Sequence, residues 1–174
     1  ASDFAAVATP CVADLGTGSG AIALALKHRH GAASVCAVDL DDDALQVARS
    51  NARALGLSVE FISGDWLQPL GGRRFHLVVS NPPYIAADDA HLAALRHEPR
   101  HALTPGGDGL CALKRIADDA PRHLWPGGWL LLEHGHEQSG AVQQFLQQAG
   151  FGDVSTRLDL AGRARCTGAR LPPN

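Results

Sequence analysis

Methionine is missing from all 174 residues, position 1 included. The chain is therefore expected to be a fragment or a processed product, with something upstream left out. No apolar run approaches the roughly 20 residues that a spanning helix needs, and the N-terminus lacks the charged-then-apolar pattern of a signal peptide. No two cysteines form a C-x-x-C pair. Cys11, Cys36, Cys111 and Cys166 are scattered, and two of them lie in apolar strand-like runs, which argues for buried, reduced thiols in a cytoplasmic protein. An excess of positive charge is absent too. At a net charge of −3, no global field draws in nucleic acid, and Arg157, Arg163, Arg165 and Arg170 read as a solvated C-terminal surface. The nine histidines include His28-x-His30 and His134-x-His136, but neither pair has a convincing third ligand, so no metal is expected. Without repeats or low-complexity linkers, a chain that is 45% hydrophobic makes one globular domain with a substantial core.

The elements alternate. Residues 11–15 form a short apolar strand that runs into Gly16-Thr17-Gly18-Ser19-Gly20. Residues 21–27 read as a helix, apolar on nearly all sides and so buried, closed by Gly31. A second strand covers 34–39. Asp41 or Asp42 caps the next helix, whose Leu45, Ala48, Ala52 and Leu55 recur at helical spacing before Gly56. Residues 59–63 form a third strand leading to Gly64-Asp65-Trp66, and 75–80 form a fourth. Residues 85–106 make a connection long enough to suggest a lid. A helix over about 110–123, the turn Pro126-Gly127-Gly128, a strand over 129–133 and a helix over 137–149 follow, with weaker strands at 154–158 and 165–171. Alternation of this kind predicts an α/β domain with a mostly parallel sheet covered by helices on both faces.

A strand, a glycine loop and a helix make a nucleotide-binding layout, because glycine lets the backbone approach a ligand and the helix start offers free N–H groups. Asp39 ends the second strand roughly 20 residues beyond the loop, a separation suited to ribose hydroxyls in dinucleotide enzymes as well. The loop, however, is G-x-G-x-G and not G-x-G-x-x-G, and no Gly-Lys-Ser/Thr follows to make a P-loop. Asp14, two residues before Gly16, suits an ammonium group better than a pyrophosphate. A ligand with an amino-acid end and a ribose end fits these charges, and S-adenosylmethionine is such a ligand. Asp65 can accept from an adenine amine and Trp66 can cover the ring face. Taken singly, Asp65 reads as a turn residue and Trp66 as a half-buried core residue.

The fourth strand stops at Asn81-Pro82-Pro83-Tyr84. Proline cannot donate to a ladder, and residues that precede proline stay extended. The outcome is a stiff turn at the carboxyl edge of the sheet, where open α/β sheets bind ligands. It holds a side-chain amide, proline carbonyls and an aromatic ring close together, although a strand-ending turn capped by Asn81 is the plainer reading.

Four stretches together, Asp14-Leu15-Gly16-Thr17-Gly18-Ser19-Gly20, Ala37-Val38-Asp39, Gly64-Asp65-Trp66 and Ser80-Asn81-Pro82-Pro83-Tyr84-Ile85, resemble the class I S-adenosylmethionine-dependent methyltransferases with their Rossmann-like seven-stranded sheet. Within that class the chain resembles the release factor glutamine methyltransferases, the HemK/PrmC family. His97-Glu98-Pro99-Arg100, Gly106-Gly107-Asp108-Gly109-Leu110, Leu132-Glu133-His134-Gly135 and Asp159-Leu160-Ala161-Gly162-Arg163 agree, so the likeness runs from about residue 11 to 171.

The resemblance implies methyl transfer from S-adenosylmethionine to the side-chain amide of a glutamine in the Gly-Gly-Gln loop of peptide chain release factors. Asn81 and Pro82 would hold that amide and Pro83 and Tyr84 would frame it, while Asp14, Gly16, Thr17, Gly18, Ser19, Gly20, Asp39, Asp65, Trp66 and Asn81 would bind the cofactor. Glu133 and His134 are the nearest titratable side chains from another strand end. It also implies an N-terminal helical domain that grips the release factor. That domain is expected to be absent, leaving 1–174 as the catalytic domain alone. The same four residues at 81–84 resemble adenine amino-methyltransferases of DNA and RNA. That reading would want a basic channel, which the charge does not supply. A non-catalytic S-adenosylmethionine-binding module is the third reading, and the intact Asn-Pro-Pro-Tyr stretch argues against it.

Overall fold

A computed structural model describes residues 7–88 and 103–173. Strands β1 (Cys11–Leu15), β2 (Ser34–Asp39), β3 (Glu60–Ser63), β4 (Phe75–Ser80), β5 (Leu124–Glu133), β6 (Gly152–Leu158) and β7 (Ala164–Arg170) form one sheet in the order β3-β2-β1-β4-β5-β7-β6. The strands from β1 to β5 pair in parallel, and β7 runs antiparallel between β5 and β6. The α-helices that cover the sheet include α1 (Ala21–Arg29), α2 (Asp42–Leu55), α3 (Cys111–Asp119) and α4 (Ser139–Gln148). The expected mostly parallel, seven-stranded α/β fold is the observed one.

The central strands carry apolar residues on both faces because both faces are covered. Ala13, Leu15, Cys36, Val38, Val78, Leu130 and Leu132 pack with Leu113 and Ile116 of α3 and Val142 and Leu146 of α4. Their neighbours in sequence, Val12, Val35, Ala37, Leu77 and Val79, point the other way and pack with Ala23 of α1. Helix α2 is held at both ends by local chemistry. The Asp41 carboxylate accepts from the N–H groups of Asp43 and Ala44 at 2.9 and 3.3 Å, and Gly56 closes the helix with φ at +64°, a conformation that glycine adopts without a Cβ penalty.

Three expectations are corrected. Helix α1 is not buried all round: Ala23 and Leu24 are buried, whereas Ala21, Ala25 and His28 face solvent. Alanine made the helix look apolar on every side without supplying bulk to bury. It also ends at His30, not on Gly31. Second, Pro126-Gly127-Gly128 does not precede the fifth strand but lies inside it. Register steps from Phe75 opposite Leu124 to Leu77 opposite Trp129, so this Pro-Gly-Gly stretch bulges out of a ladder to which Pro126 cannot donate. Third, the helix expected from 137 begins at Ser139.

Chain order reverses direction in the sheet between β1 and β4, because β2 and β3 are laid down on one side before the chain returns to the other. That reversal opens a crevice above the carboxyl ends of β1 and β4. Leu130 is fully buried against α3 and α4, so Leu130→Ala should cost ~2–5 kcal/mol of unfolding free energy. The exposed Val47→Ala should stay within ~0.5 kcal/mol of wild type. Urea unfolding of both variants checks the pair.

Candidate active site

The glycine loop is folded by its own backbone. Gly16 and Thr17 donate their N–H groups to the Val38 carbonyl at 2.8 and 3.0 Å, which draws the loop across onto the end of β2. Gly16, Gly18 and Gly20 all have positive φ. A Cβ on Gly16 would also meet the Trp66 ring at 3.0 Å, and one on Gly20 would meet Ala48 of α2 at 3.1 Å. Ser19 lies exposed at the loop's outer turn, where its carbonyl accepts from Asn51 at 2.9 Å.

Asp14 sits fully buried beneath this loop. Its Oδ2 accepts from Thr17 Oγ1 at 2.7 Å and from the Ala23 N–H at 3.0 Å. Oδ1 is buried with no hydrogen-bond partner. Burial pushes the carboxyl up to about 6, against the pull of Thr17 and Ala23 and with a smaller push from the nearby Asp39 charge. An orphaned carboxylate oxygen of this kind is costly unless a donor reaches it.

Asp39 is less free than the sequence suggests. Its Oδ2 accepts from the Gly18 N–H at 2.7 Å and its Oδ1 from the Asp41 N–H at 2.9 Å. It braces the loop in addition to presenting lone pairs at the crevice. Asp65 is paired with Arg115 of α3 at 2.8 Å, a partner that no local pattern announced. Trp66 adopts φ +50°, uncommon for a large side chain, and its half-buried ring packs on the core as well as lying beside Gly16.

The end of β4 is tied to the end of β1 by Ser80, whose Oγ donates to the Leu15 carbonyl at 2.8 Å. Asn81 follows, exposed, and Pro82 is buried. Among the described residues neither the Asn81 amide nor the Pro82 carbonyl has a hydrogen-bond partner. Pro83 is half-buried. The Tyr84 hydroxyl donates to Glu133 Oε1 at 3.3 Å, and burial, then the Glu133 charge, raises its pKa. Gln138 locks the turn from behind: its Nε2 donates to the Tyr84 carbonyl at 2.9 Å, while its Oε1 accepts from the Gly135 N–H at 2.9 Å. Gly109, with φ +78°, lies so close to the Tyr84 carbonyl that no side chain fits there.

The stretch after Tyr84 bonds to the far end of the long connection, Ile85 N–H to the Leu103 carbonyl at 3.0 Å and Ala87 N–H to the Gly107 carbonyl at 2.9 Å. The middle of that connection, with His97-Glu98-Pro99-Arg100, lies outside the described residues.

His134 is not a base at the site. It is fully buried, with Nδ1 2.9 Å from the Gly135 carbonyl and Nε2 2.7 Å from Thr167 Oγ1. A carbonyl only accepts, so Nδ1 carries the proton and Nε2 accepts from the threonine. Burial holds its pKa down, and the ring serves as a neutral strut between β5 and β7.

Asp14 also carries a pH signature. A carboxyl near 6 in the folded chain and 3.8 by default retains a proton that the unfolded chain releases. Its contribution to stability is therefore greatest below pH ~4 and is lost as pH rises through about 6, by on the order of 2–3 kcal/mol. Comparison with Asp14→Asn cancels the other titrating groups. The stability difference should move against the wild type between pH ~4 and ~7, and urea unfolding across that range measures it. A flat difference would refute the raised carboxyl.

The family model described as the methyltransferase small domain matches residues 2–112. A release factor glutamine methyltransferase of Burkholderia pseudomallei is 50% identical over 175 residues, covering 95% of this chain and 61% of the relative. One from Xylella fastidiosa is 54% identical over 164 residues, covering 92% and 60%. The chain thus spans about three-fifths of the length of these curated relatives. In fold it is similar to a methyltransferase from Pyrococcus furiosus, with a TM-score of 0.72 at 17% identity, over 95% of this chain and 76% of that one. With a family model matched over residues 2–112, more than half of its length, the chain belongs to the methyltransferase small domain family.

Proposed function

We propose that residues 1–174 form the catalytic domain of a cytoplasmic enzyme that methylates the side-chain amide of the glutamine in a release factor's Gly-Gly-Gln loop, using S-adenosylmethionine. The observation that carries the reading is a pair of acceptors with no partner among the described residues, the Asn81 amide oxygen and the Pro82 carbonyl, on a turn that Ser80 and Gln138 hold rigid. The curated relatives named for this activity support it.

The residues present fit the cofactor. The buried, unpaired Asp14 Oδ1 suits the donors of an amino-acid ammonium, and the three positive-φ glycines leave the loop backbone bare. Asp39 keeps a lone pair on each oxygen beyond those used by Gly18 and Asp41, which suits ribose hydroxyls. Gly16, Thr17, Gly18, Ser19 and Gly20 would form the floor, with Asp65 and Trp66 at the adenine end. S-adenosylmethionine supplies a methyl group already activated by its sulfonium.

An amide nitrogen is a weak nucleophile because its lone pair is shared with the carbonyl. Two acceptors aimed at its two N–H bonds fix the nitrogen's direction and stabilise the positive charge that grows on it during attack. Pro82 cannot adjust its φ and Ser80 anchors the turn, so little reorganisation accompanies the reaction. Tyr84 gives the flat amide a wall, and its bond to Glu133 keeps the ring from swinging. Once the nitrogen has taken the methyl it gives up one proton, which solvent accepts. No strong base is required, consistent with the neutral, buried His134.

Intact-mass measurement of a release factor incubated with the protein and S-adenosylmethionine should show a gain of one methyl group, mapping to the Gly-Gly-Gln glutamine. Unmodified factor, or transfer to RNA in a parallel incubation, would overturn the reading. Asn81→Ala should lower the single-turnover rate by about a hundredfold or more with unfolding free energy within ~0.5 kcal/mol of wild type. Cofactor affinity should be level above pH ~6 and decline below it, because protonation removes the Asp14 charge. Calorimetry at three pH values reads that slope, and a constant affinity would place the ammonium elsewhere.

A further inference from the structure

Residues 159–163, the turn between β6 and β7, take no part in the chemistry above, yet they are built with unusual care. The Asp159 carboxylate accepts from the N–H groups of Ala161 and Arg163, each at 2.9 Å. The Asp159 N–H donates to the Arg163 carbonyl at 2.8 Å, and the Gly162 N–H donates to the Asp159 carbonyl at 3.0 Å. Gly162 has φ +77°, which permits the tight return. These backbone donors hold the Asp159 carboxyl below its usual range, so it stays charged. What the turn displays is Leu160, fully exposed at 111%, with Leu158 two residues before it at 66%.

Its place in the fold is as specific as its conformation. β7 runs antiparallel to β5 with Cys166 opposite Glu133, so β7 begins at the edge where β5 ends. That is the carboxyl edge of the parallel strands, the edge that carries Asn81. A register shift, with Arg157 opposite Cys166 and Leu158 opposite Ala164, leaves Arg165 outside the ladder. Bulges of this kind re-aim a side chain. Arg165 lies 3.5 Å from Asp159 through Nε and donates to the His134 carbonyl at 3.3 Å, and its positive charge is felt at the Tyr84 hydroxyl. One guanidinium therefore spans from the turn to the wall of the proposed amide site.

We propose that this turn is a second contact surface for the protein substrate, with Leu160 as its apolar tip seated on the folded body that carries the target loop and Arg165 fixing the turn's position relative to Tyr84. The inference rests on the reading of the site as a protein-glutamine methyltransferase. A single exposed leucine is ordinary. A leucine displayed on a turn already held by four hydrogen bonds, two of them to the Asp159 carboxylate, on the rim of a site whose substrate is itself a protein, is different. Its ordering entropy is spent on folding and need not be spent again on binding. A flexible glutamine loop also offers little surface of its own, and a macromolecular substrate must lay neighbouring surface across the same edge. The occupant is thus an apolar patch beside the Gly-Gly-Gln loop on the release factor.

Steady-state kinetics with purified release factor test this on the whole chain. Leu160→Asp should raise KM for the factor about tenfold, the loss expected for one buried leucine replaced by a charge, with kcat at saturation within about twofold. Leu160→Ile should restore KM. S-adenosylmethionine affinity, read by calorimetry, should match wild type in both variants and reports that the fold is intact. A turn that served only the fold would lower kcat or cofactor affinity together with KM, and that pattern overturns the inference. Wild-type methylation with an unchanged KM in Leu160→Asp overturns it as well and leaves the reading of the site standing. If the wild type neither binds nor methylates the factor, the reading falls and this inference falls with it.

Discussion

The pairing of β1 with β4 is the constraint on which the remaining structure depends. It is a parallel contact between strands separated by the whole of the first two βα units, with Leu15 opposite Ser80. Ser80 adds a side-chain bond to the Leu15 carbonyl at its very end. Because the side-chain period of a strand is two, a slip of one residue would turn Val78 and Val79 to the wrong faces and carry Asn81 away from the glycine loop. The register thus sets the core and the distance between the two halves of the site at once.

Around that join the molecule tolerates features that a fold alone would not select. Asp14 is buried with an unpartnered oxygen. Trp66 takes a positive φ. Asn81 stands exposed, its amide without a hydrogen-bond partner among the described residues, while the proline after it is buried. The orphaned Asp14 oxygen and the Trp66 backbone are local costs of the kind that concentrate at functional sites, whereas the exposed Asn81 amide is free to bond water. Among the described residues every other buried side-chain polar atom has a partner. His134 is satisfied inside the sheet by the Gly135 carbonyl and Thr167, and burial keeps it neutral.

Much of this was legible beforehand because it is local. The loop from Gly16 to Gly20, the Asp41 cap, the Gly56 stop and the abrupt end at Pro82 each follow from the backbone preferences of a few adjacent residues. Alternation of strands and helices likewise announced a parallel sheet. The errors have local causes too. Helix α1 looked buried because alanine counts as apolar while contributing little area, and Pro126-Gly127-Gly128 looked like a strand boundary because a bulge and a turn use the same residues.

By itself the sequence determined the elements, the class of fold and the identity of the residues at the strand ends, since those depend on side-chain periodicity and backbone stereochemistry over a few positions. Tertiary structure alone decided how those residues are used. Arg115 reaches Asp65 from a helix 50 residues away, Gln138 fastens the Tyr84 carbonyl from 54 residues away, and Asp39 proves to be a brace for Gly18 as well as an acceptor at the crevice. Burial made Asp14 a weak acid near 6 and left His134 neutral. Partners and dielectric surroundings are set by chain segments distant in sequence, and no local pattern encodes which of them will meet.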